Sequence, residues 1–174
     1  VGGVEKVLEN NYESKTMRFA EAKLNDGQRL LAFNDLFIGA ASHISARYKI
    51  SFNQSTEEQS SSGLIISTPA GSTGWLSSIF NMAYGVTGMF EKKLKPKRPK
   101  LKDNELLFVV REPFASIRTQ TGITAGIIKN QNHLTIESLM PIGGVVFSDG
   151  IEKDFLKFNS GAIATIGIAE ETAK

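Results

Sequence analysis

The stretch that decides the fold is Ser62–Met82, which reads SGLIISTPAGSTGWLSSIFNM. Its apolar run at residues 64–66 is short, rich in β-branched side chains and flanked by turn residues, which predicts a buried strand. Residues 67–74 follow with no large side chain among them. From Trp75 the apolar period becomes 3.6, which predicts a helix with one apolar face: Leu76, Ile79, Phe80, Ala83, Val86 and Phe90. A strand, a small-residue loop and a helix in this order can present backbone N–H groups and a positive helix end to an anion.

The hydroxyls of Ser72 and Thr73 in this loop have two interpretations. Either residue can cap the helix, as Ser and Thr commonly do. Alternatively, the hydroxyls donate to the phosphates of a ligand, which the glycines allow to approach the backbone. Standard motifs do not decide between the two, because the loop contains neither Gly-Lys-Ser/Thr nor Gly-x-Gly-x-x-Gly. Its spacing also differs from the Gly-x-Ser-x-Gly nucleophile elbow.

Asp35 lies within the apolar stretch LLAFNDLFIG, where a charge needs a reason. One interpretation is that Asn34 and Asp35 form an ordinary bend at the end of a strand. The other is a carboxylate that accepts hydrogen bonds from ribose hydroxyls, as acidic residues do in dinucleotide sites. Asp149, in the turn Ser148-Asp149-Gly150, is typical of a hairpin residue.

Short strand patterns, with turn signals about every ten residues, run through the rest of the chain. They predict a mostly β (α+β) fold, in which stacked antiparallel sheets form a β-sandwich with one main helix packed on them. Strands are expected at Met17–Leu24, Arg29–Phe33, Ile44–Phe52, Leu106–Val110, Ile123–Ile128, Leu134–Leu139, Val145–Phe147, Phe155–Phe158 and Ala162–Ala169. A short amphipathic helix is expected from Val4 to about Asn10-Asn11, and Asn53–Ser62 is expected to be a polar connection with Glu57-Glu58 in solvent.

Composition sets the class of protein. The 174 residues suit one domain, 1–174, and 41% hydrophobic with 22% charged residues is typical of a soluble globular chain. A net charge of +2 gives no reason to expect nucleic acid or an anionic membrane as a partner. There is no cysteine and no apolar run near the roughly 18 residues of a membrane span, so a cytoplasmic location is expected.

Two further groups of residues favour no catalytic chemistry. Lys92–Lys102 holds seven basic residues and two prolines, which predicts an extended, solvated loop, with attraction of a polyanionic substrate as the alternative. His43 and His133 are the only histidines, and no Cys, Asp or Glu stands at helical ligand spacing from either. The sequence therefore predicts no metal site, and it gives a Ser-His-Asp arrangement little support.

The segment TPAGSTGW, residues 68–75, resembles the TP-T/S-GSTAY signature of the NAD kinase family, and Asn34-Asp35 resembles the Asn-Glu pair of that family. Order and spacing match from Leu30 to Ser78. The segments LNDG, NDLFIGAASHISARY, SSGL, VREPF and FNSGAIA are most similar to a divergent subgroup that includes mitochondrial-type NAD kinases. The resemblance implies the C-terminal, NAD-binding domain of such an enzyme.

The resemblance also implies a set of site residues: Asn34, Asp35, Ser62, Thr73, Gly74, Trp75, Ser78 and Asp149. By this analogy, Asn34 and Asp35 hold the adenosine and ribose of NAD. The segment from Thr73 to Ser78 shapes the pocket around adenine and nicotinamide. Asp149 is expected to line the site.

Three departures from the family pattern stand out. Ser61-Ser62-Gly63 replaces Ala-Asp-Gly, so that Ser62 stands where typical members have an aspartate that contacts NAD. Gly74-Trp75 replaces Ala-Tyr, which keeps a flat ring and loses the phenol. The Gly-Gly-Asp-Gly-Thr motif with the catalytic aspartate is absent, since Gly2-Gly3 is followed by Val4. The expectation is that this motif belongs to an upstream ATP-binding domain, and that this chain holds no catalytic residue.

The resulting hypothesis is an NAD kinase that uses ATP and Mg²⁺ to phosphorylate the adenosine 2′-hydroxyl of NAD, with this chain inactive when alone. Expected partners are NAD or NADP, the upstream domain and further copies of the chain. Self-association is expected because residues 117–140 carry only three charged side chains. Two alternatives stay open: a related kinase that acts on a sugar or a lipid head group, and a catalytically silent nucleotide-binding or oligomerisation module.

Overall fold

The computed structural model describes residues 2–9, 14–90, 99–130 and 132–174. Over these ranges the helices are α1 (Gly2–Leu8) and α2 (Trp75–Thr87), and a single 3-10 turn covers Gly71–Thr73. The strands are β1 (Met17–Leu24), β2 (Arg29–Ala32), β3 (Asp35–Ala40), β4 (Ala46–Phe52), β5 (Ser55–Ser61), β6 (Leu64–Ser67), β7 (Leu106–Val110), β8 (Ala125–Ile128), β9 (Leu134–Ser138), β10 (Gly144–Ser148), β11 (Phe155–Lys157) and β12 (Ile163–Ala173).

The strands form two six-stranded sheets. Sheet A has the order β2-β1-β12-β9-β4-β5, and sheet B has the order β11-β10-β3-β6-β7-β8. Neighbouring strands are antiparallel in both sheets. The expectation of a mostly β fold with stacked antiparallel sheets and one main helix is therefore confirmed.

The core follows from the period-2 alternation of the strands. Leu36 and Ile66 of sheet B belong to one buried cluster with residues of sheet A, such as Ile50. Their neighbours along the strands, Phe37 and Ile65, lie on the opposite face of sheet B, where they form a second cluster against α2. Sheet B is thus covered on both faces, which explains the continuous apolar runs of β6 and β7.

One predicted connection is wrong. Residues 55–61, within the expected polar connection Asn53–Ser62, form β5, which pairs with β4 along its length. The reason is that the buried Tyr48 hydroxyl of β4 bonds to Gln59 Oε1 at 3.0 Å and to Ser61 Oγ at 2.7 Å, so the inner face of β5 is polar. Glu57 is not free in solvent either, because its carboxylate accepts the backbone N–H of Ile123 at 2.7 Å.

The helix predictions need smaller corrections. Helix α2 starts at Trp75 as expected but ends at Thr87, so Phe90 lies beyond it and is 82% exposed. Val86 is 54% exposed, and the apolar face therefore packs only in the first half of the helix. Helix α1 begins at Gly2, before the expected Val4.

Other differences concern strand ends and residues outside the described ranges. Ile44 is 61% exposed and precedes β4, and β12 continues to Ala173. The expected helix end near Asn10-Asn11 and most of the basic segment Lys92–Lys102 lie outside the described residues. None of the helices described is long and apolar enough to cross a membrane.

Candidate functional site

The loop between β6 and α2 is fastened to residues 33–34 by Thr68. The Thr68 hydroxyl donates to the Phe33 carbonyl at 2.6 Å and accepts the Gly71 N–H at 3.2 Å. The Thr68 N–H donates to the Asn34 carbonyl at 2.9 Å. The side chain and the main chain of Thr68 therefore both hold the loop against the start of β3.

Neither Ser72 nor Thr73 caps α2. The N-cap position is Gly74, which makes no side-chain cap, and the Ser72 hydroxyl instead donates to the Pro69 carbonyl at 2.7 Å. Ser72 and Thr73 belong to the 3-10 turn Gly71–Thr73, and Gly74 lies between that turn and the first helical residue, Trp75. The capping interpretation is therefore wrong for this loop.

Gly71 is the point of closest approach between the loop and β3. A Cβ atom at Gly71 would lie 2.3 Å from the Asn34 carbonyl oxygen and 2.8 Å from Asp35 Oδ1. Both distances are too short for any side chain, so only glycine fits here. The glycine brings the main chain of the loop directly against the carboxylate of Asp35.

Asp149 fixes the chain at residues 33–35. Its carboxylate accepts three backbone N–H groups: Phe33 at 2.9 Å, Asn34 at 2.7 Å and Asp35 at 3.1 Å. Its own N–H donates to the Asp35 carbonyl at 2.9 Å. Asp149 has a φ of 52°, a left-handed conformation that Asp tolerates better than most residues. The contacts that the structure gives Asp149 are thus those of a hairpin residue that positions Asp35.

Asp35 is the first residue of β3, where it pairs with Ser67, so it opens a strand rather than ending one. Its Oδ1 atom is buried and has no hydrogen-bond partner. Burial raises the pKa of this carboxyl above its usual value; the Ser67 hydroxyl opposes the shift, and the charge of Asp149 adds to it. Because a buried acceptor without a partner is costly, such an atom needs a reason beyond folding.

Trp75 lies in a stack of aromatic rings and one cation. Its ring is 5.7 Å from that of Phe37 at an interplanar angle of 11°, and Phe37 in turn lies 4.8 Å from Phe147. The Arg111 guanidinium carbon lies 5.4 Å from the centre of the Trp75 ring. These four residues line one wall of an open cavity of about 700 Å³, together with Ser62.

The eight predicted site residues fall into distinct places. Ser62 and Trp75 line the cavity of about 700 Å³; Trp75 and Ser78 line a neighbouring one of about 530 Å³. Thr73 lines a third, of about 490 Å³, beside Lys15 and Lys100.

The remaining four predicted residues lie at or beside the starts of β3 and α2. Asn34, Asp35 and Asp149 line none of these cavities. Asn34 and Asp35 lie against the loop at Gly71, and Asp149 accepts their backbone N–H groups. At Gly74 a Cβ would lie 4.0 Å from Asp35 Oδ2, so the carboxylate also faces the start of α2. The first turn of α2 therefore connects the two groups: its residues Trp75 and Ser78 line cavities, and Gly74 just before it faces Asp35.

Arg111 was not predicted from the sequence. It follows β7, and its segment VREPF contributes only to the resemblance. Nothing local in the sequence signals its contact with Trp75, because the two meet only when β6 and β7 pair and α2 folds back over sheet B.

Metal ligands are sparse in the described part of the chain. Within those residues, no three His, Cys, Asp or Glu side chains come together in a way that could hold a metal ion. His43 is exposed on the rim of the cavity of about 700 Å³, and His133 is exposed at the start of β9.

Sequence comparison finds no match, either to a protein-family model or to a curated protein. Comparison of the structure does. A crystal structure of an NAD kinase from Archaeoglobus fulgidus in complex with ATP superposes with a TM-score of 0.63 at 16% identity, covering 99% of this chain and 58% of that chain. Yeast NADH kinase complexed with NADH gives 0.64 at 16% identity, covering 97% and 45%.

The chain thus spans 58% and 45% of the lengths of the two kinases that it matches. The match covers nearly all of this chain, including both sheets and α2. Over nearly its whole length, the chain therefore has the fold of part of an NAD kinase.

Proposed function

We propose that this chain is the dinucleotide-binding part of an NAD kinase, whose complete protein transfers a phosphoryl group from ATP to the adenosine 2′-hydroxyl of NAD. The observation that carries the proposal is the buried Oδ1 of Asp35, which has no partner and lies against the glycine loop. The fold shared with NAD kinases supports it.

A ribose can supply the hydrogen-bond donor that Asp35 Oδ1 does not have in the fold. An ionised carboxylate only accepts hydrogen bonds, and a ribose offers hydroxyl donors in adjacent positions. Acidic residues hold ribose hydroxyls in this way in other dinucleotide sites. Asp149 keeps the main chain at residues 33–35 in place, so the carboxylate of Asp35 is positioned before the ligand arrives.

The ring systems of NAD fit the other group of site residues. Trp75 and Phe37 present aromatic surface at the cavity of about 700 Å³, next to the hydroxyl-bearing Ser62. Flat aromatic rings stack on such surfaces in offset or edge-to-face geometry. In the proposal, the Asp35 carboxylate fixes the sugar and the wall around Trp75 contacts a ring.

Phosphoryl transfer depends mainly on positioning and on neutralisation of charge. The part proposed for this chain is positioning: it holds the acceptor hydroxyl of NAD. ATP and Mg²⁺ would be brought by other parts of the complete protein. The described residues offer no cluster of three metal-binding side chains, so they do not fit a Mg²⁺ site of their own.

Titration with NAD tests the proposal directly. Trp75 is the only tryptophan, so its fluorescence reports on the site without a label. We expect a saturable change with NAD, confirmed by calorimetry, and none with a neutral sugar. Saturation by a sugar or a lipid head group with no response to NAD would favour the related kinase instead. Flat titrations with all ligands would contradict the proposal.

Turnover is the second test. We expect the 174-residue chain alone to form no NADP from NAD and ATP, because no residue matches the catalytic aspartate of the family. Loss of a general base costs about 10²–10⁴-fold in rate. NADP formation above a control without enzyme would show that the chain carries its own catalytic group.

Self-association remains part of the proposal. The low charge of residues 117–140 is partly explained by burial of Ile128, Leu134 and Ile136 in the core, whereas Ile117 is fully exposed. Exposed apolar side chains often mark an interface. Light scattering at tens of micromolar is expected to show more than a monomer, and a monomer would contradict this part.

A further inference from the structure

We propose that Arg111 binds a phosphate group of the ligand at the cavity of about 700 Å³ and thereby selects phosphorylated ligands over bare nucleosides. The inference rests on the proposed function, because it names a residue for one part of the same dinucleotide. Two observations support it: the side chain of Arg111 is held in place, and no described carboxylate pairs with it.

The backbone places Arg111 at a fixed point. Its N–H donates to the Gly63 carbonyl at 2.8 Å, and its carbonyl accepts the Ser62 N–H at 3.0 Å, just beyond the paired strands β6 and β7. The side chain is held as well. Its Nη1 donates to the Ser62 carbonyl at 3.4 Å, and the guanidinium lies over the Trp75 ring. A guanidinium that is already ordered loses little freedom when it binds an anion.

Within the described residues, no ion pair neutralises the charge of Arg111. None of the described carboxylates forms an ion pair with it. The adjacent Glu112 has a left-handed backbone, with φ at 48°, and its carboxylate accepts the Ser62 hydroxyl. A guanidinium has five N–H donors, and one long hydrogen bond leaves most of them for a ligand.

The other charged and titratable groups on the cavity wall limit where an anion can lie. Glu112 and Glu152 are acidic, and His43 is exposed on the rim. Because both carboxylates repel an anion, a phosphate is favoured only next to the guanidinium, which is beside Trp75. The guanidinium geometry matches two phosphate oxygens at once.

The neighbours of Arg111 define the class of ligand. A nucleotide whose base lies on the aromatic wall of Phe37, Trp75 and Phe147 would bring the phosphate on its ribose to the guanidinium. For NAD, that group is the pyrophosphate. A nucleoside without phosphate would keep the contacts of the ring and lose those of Arg111.

The test compares three ligands on four proteins. NAD, adenosine and inorganic pyrophosphate are titrated by calorimetry into the wild type, Arg111→Gln, Arg111→Lys and Arg47→Gln. Arg47 is a matched control, because it is exposed on β4 of sheet A and its side chain makes no described contact with the cavity. Thermal melts confirm that each variant is folded.

We expect Arg111→Gln to weaken NAD about 10-fold or more, from the worth of a hydrogen bond to a charged group. Adenosine affinity should stay within about twofold, and pyrophosphate binding should fall with that of NAD. Arg111→Lys should retain part of the NAD affinity, because lysine keeps the charge but lacks the paired N–H donors of the guanidinium. Arg47→Gln should match the wild type.

Two results would overturn the inference. Equal losses for NAD and adenosine would mean that Arg111 only holds Trp75 in place, and unchanged NAD and pyrophosphate affinities would mean that it contacts no phosphate. The proposed function fails separately. If the wild type binds pyrophosphate through Arg111 but does not bind NAD, the phosphate site stands and the ligand is another phosphorylated compound.

Discussion

Asp35 and Asp149 lie at the same end of sheet B, but their carboxylates differ in burial and in hydrogen bonding. Asp149 is exposed and accepts three backbone N–H groups. Asp35 is half-buried, and its Oδ1 has no partner. One carboxylate thus satisfies the main chain, while the other keeps one buried oxygen, Oδ1, without a hydrogen-bond partner.

We propose that the difference separates a structural carboxylate from one that binds a ligand. A carboxylate that folding alone required would be paired, as Asp149 is, because unpaired buried acceptors cost free energy. Instead, three hydrogen bonds to Asp149 hold the main chain at Asp35 and at the two residues before it. The following four predictions test this contrast, beginning with the largest effect.

Gly71→Ala should be the most damaging change, because the new Cβ would lie 2.3 Å from the Asn34 carbonyl oxygen. Backbone would have to move, so we expect a loss of about 3 kcal/mol in the free energy of unfolding, at the upper end for overpacking. Urea denaturation measures it. The control is Gly85→Ala in α2, which has open space and should gain about 0.5–1 kcal/mol. Equal effects of the two changes would contradict the tight contact.

Asp149→Ala removes the acceptor of three backbone N–H groups and places Ala at a φ of 52°. We expect a loss of about 2–3 kcal/mol in unfolding free energy, since the bonds are to a charged group but lie near solvent. Asp154→Ala, on the exposed loop before β11, is the matched control and should stay within about 0.5 kcal/mol of the wild type. A neutral Asp149→Ala would show that residues 33–35 hold their shape without it.

Asp35→Asn should act on binding instead. The side chain keeps its shape but loses its charge and half its acceptor capacity, so NAD affinity should fall about 10- to 150-fold. Calorimetry at neutral pH measures the affinity, and Asp154→Asn is the control for loss of a negative charge near the same end of sheet B. Equal affinities for wild type and Asp35→Asn would remove Asp35 from the site.

The pH dependence of stability gives the smallest effect. Burial raises the pKa of Asp35 above its value in the unfolded chain, so the native state holds this proton more tightly. The resulting stability is present below the unfolded pKa and is lost as pH rises through the folded pKa. Asp35→Asn has no such loss, so its melting temperature relative to the wild type should increase over this interval and then level off. A difference that does not depend on pH would mean that Asp35 is paired in solution.

Much of the fold could be predicted from the sequence, because local patterns determine it. The bounds of β1 and β7 and the first residue of α2 were predicted correctly, since alternation or a change of period marks each of them. Strand β5 was missed because its inner face carries Gln59 and Ser61, which bond to the Tyr48 hydroxyl. A polar inner face that serves a buried partner looks like a loop in sequence.

The site was predicted only in part, for a related reason. The loop and Asp35 could be identified from small residues and from a charge in an apolar stretch. The contacts that define their roles join distant parts of the chain: Asp149 is 116 positions from Phe33. Arg111 meets Trp75 only through the pairing of sheet B and the return of α2. No local pattern encodes such contacts.

The position of β12 has a consequence for synthesis of the protein. Every strand of sheet B lies between Asp35 and Lys157, so sheet B can pair before β12 has left the ribosome. The strand pairing of sheet A cannot be completed by then, because β12 lies between β1 and β9 and its Ala173 pairs with Met17. Until then, β1 and β9 expose unpaired edges in the nascent chain, where strand edges promote aggregation. Changes in β12 should therefore lower the yield of soluble protein more than their effect on the finished fold would suggest.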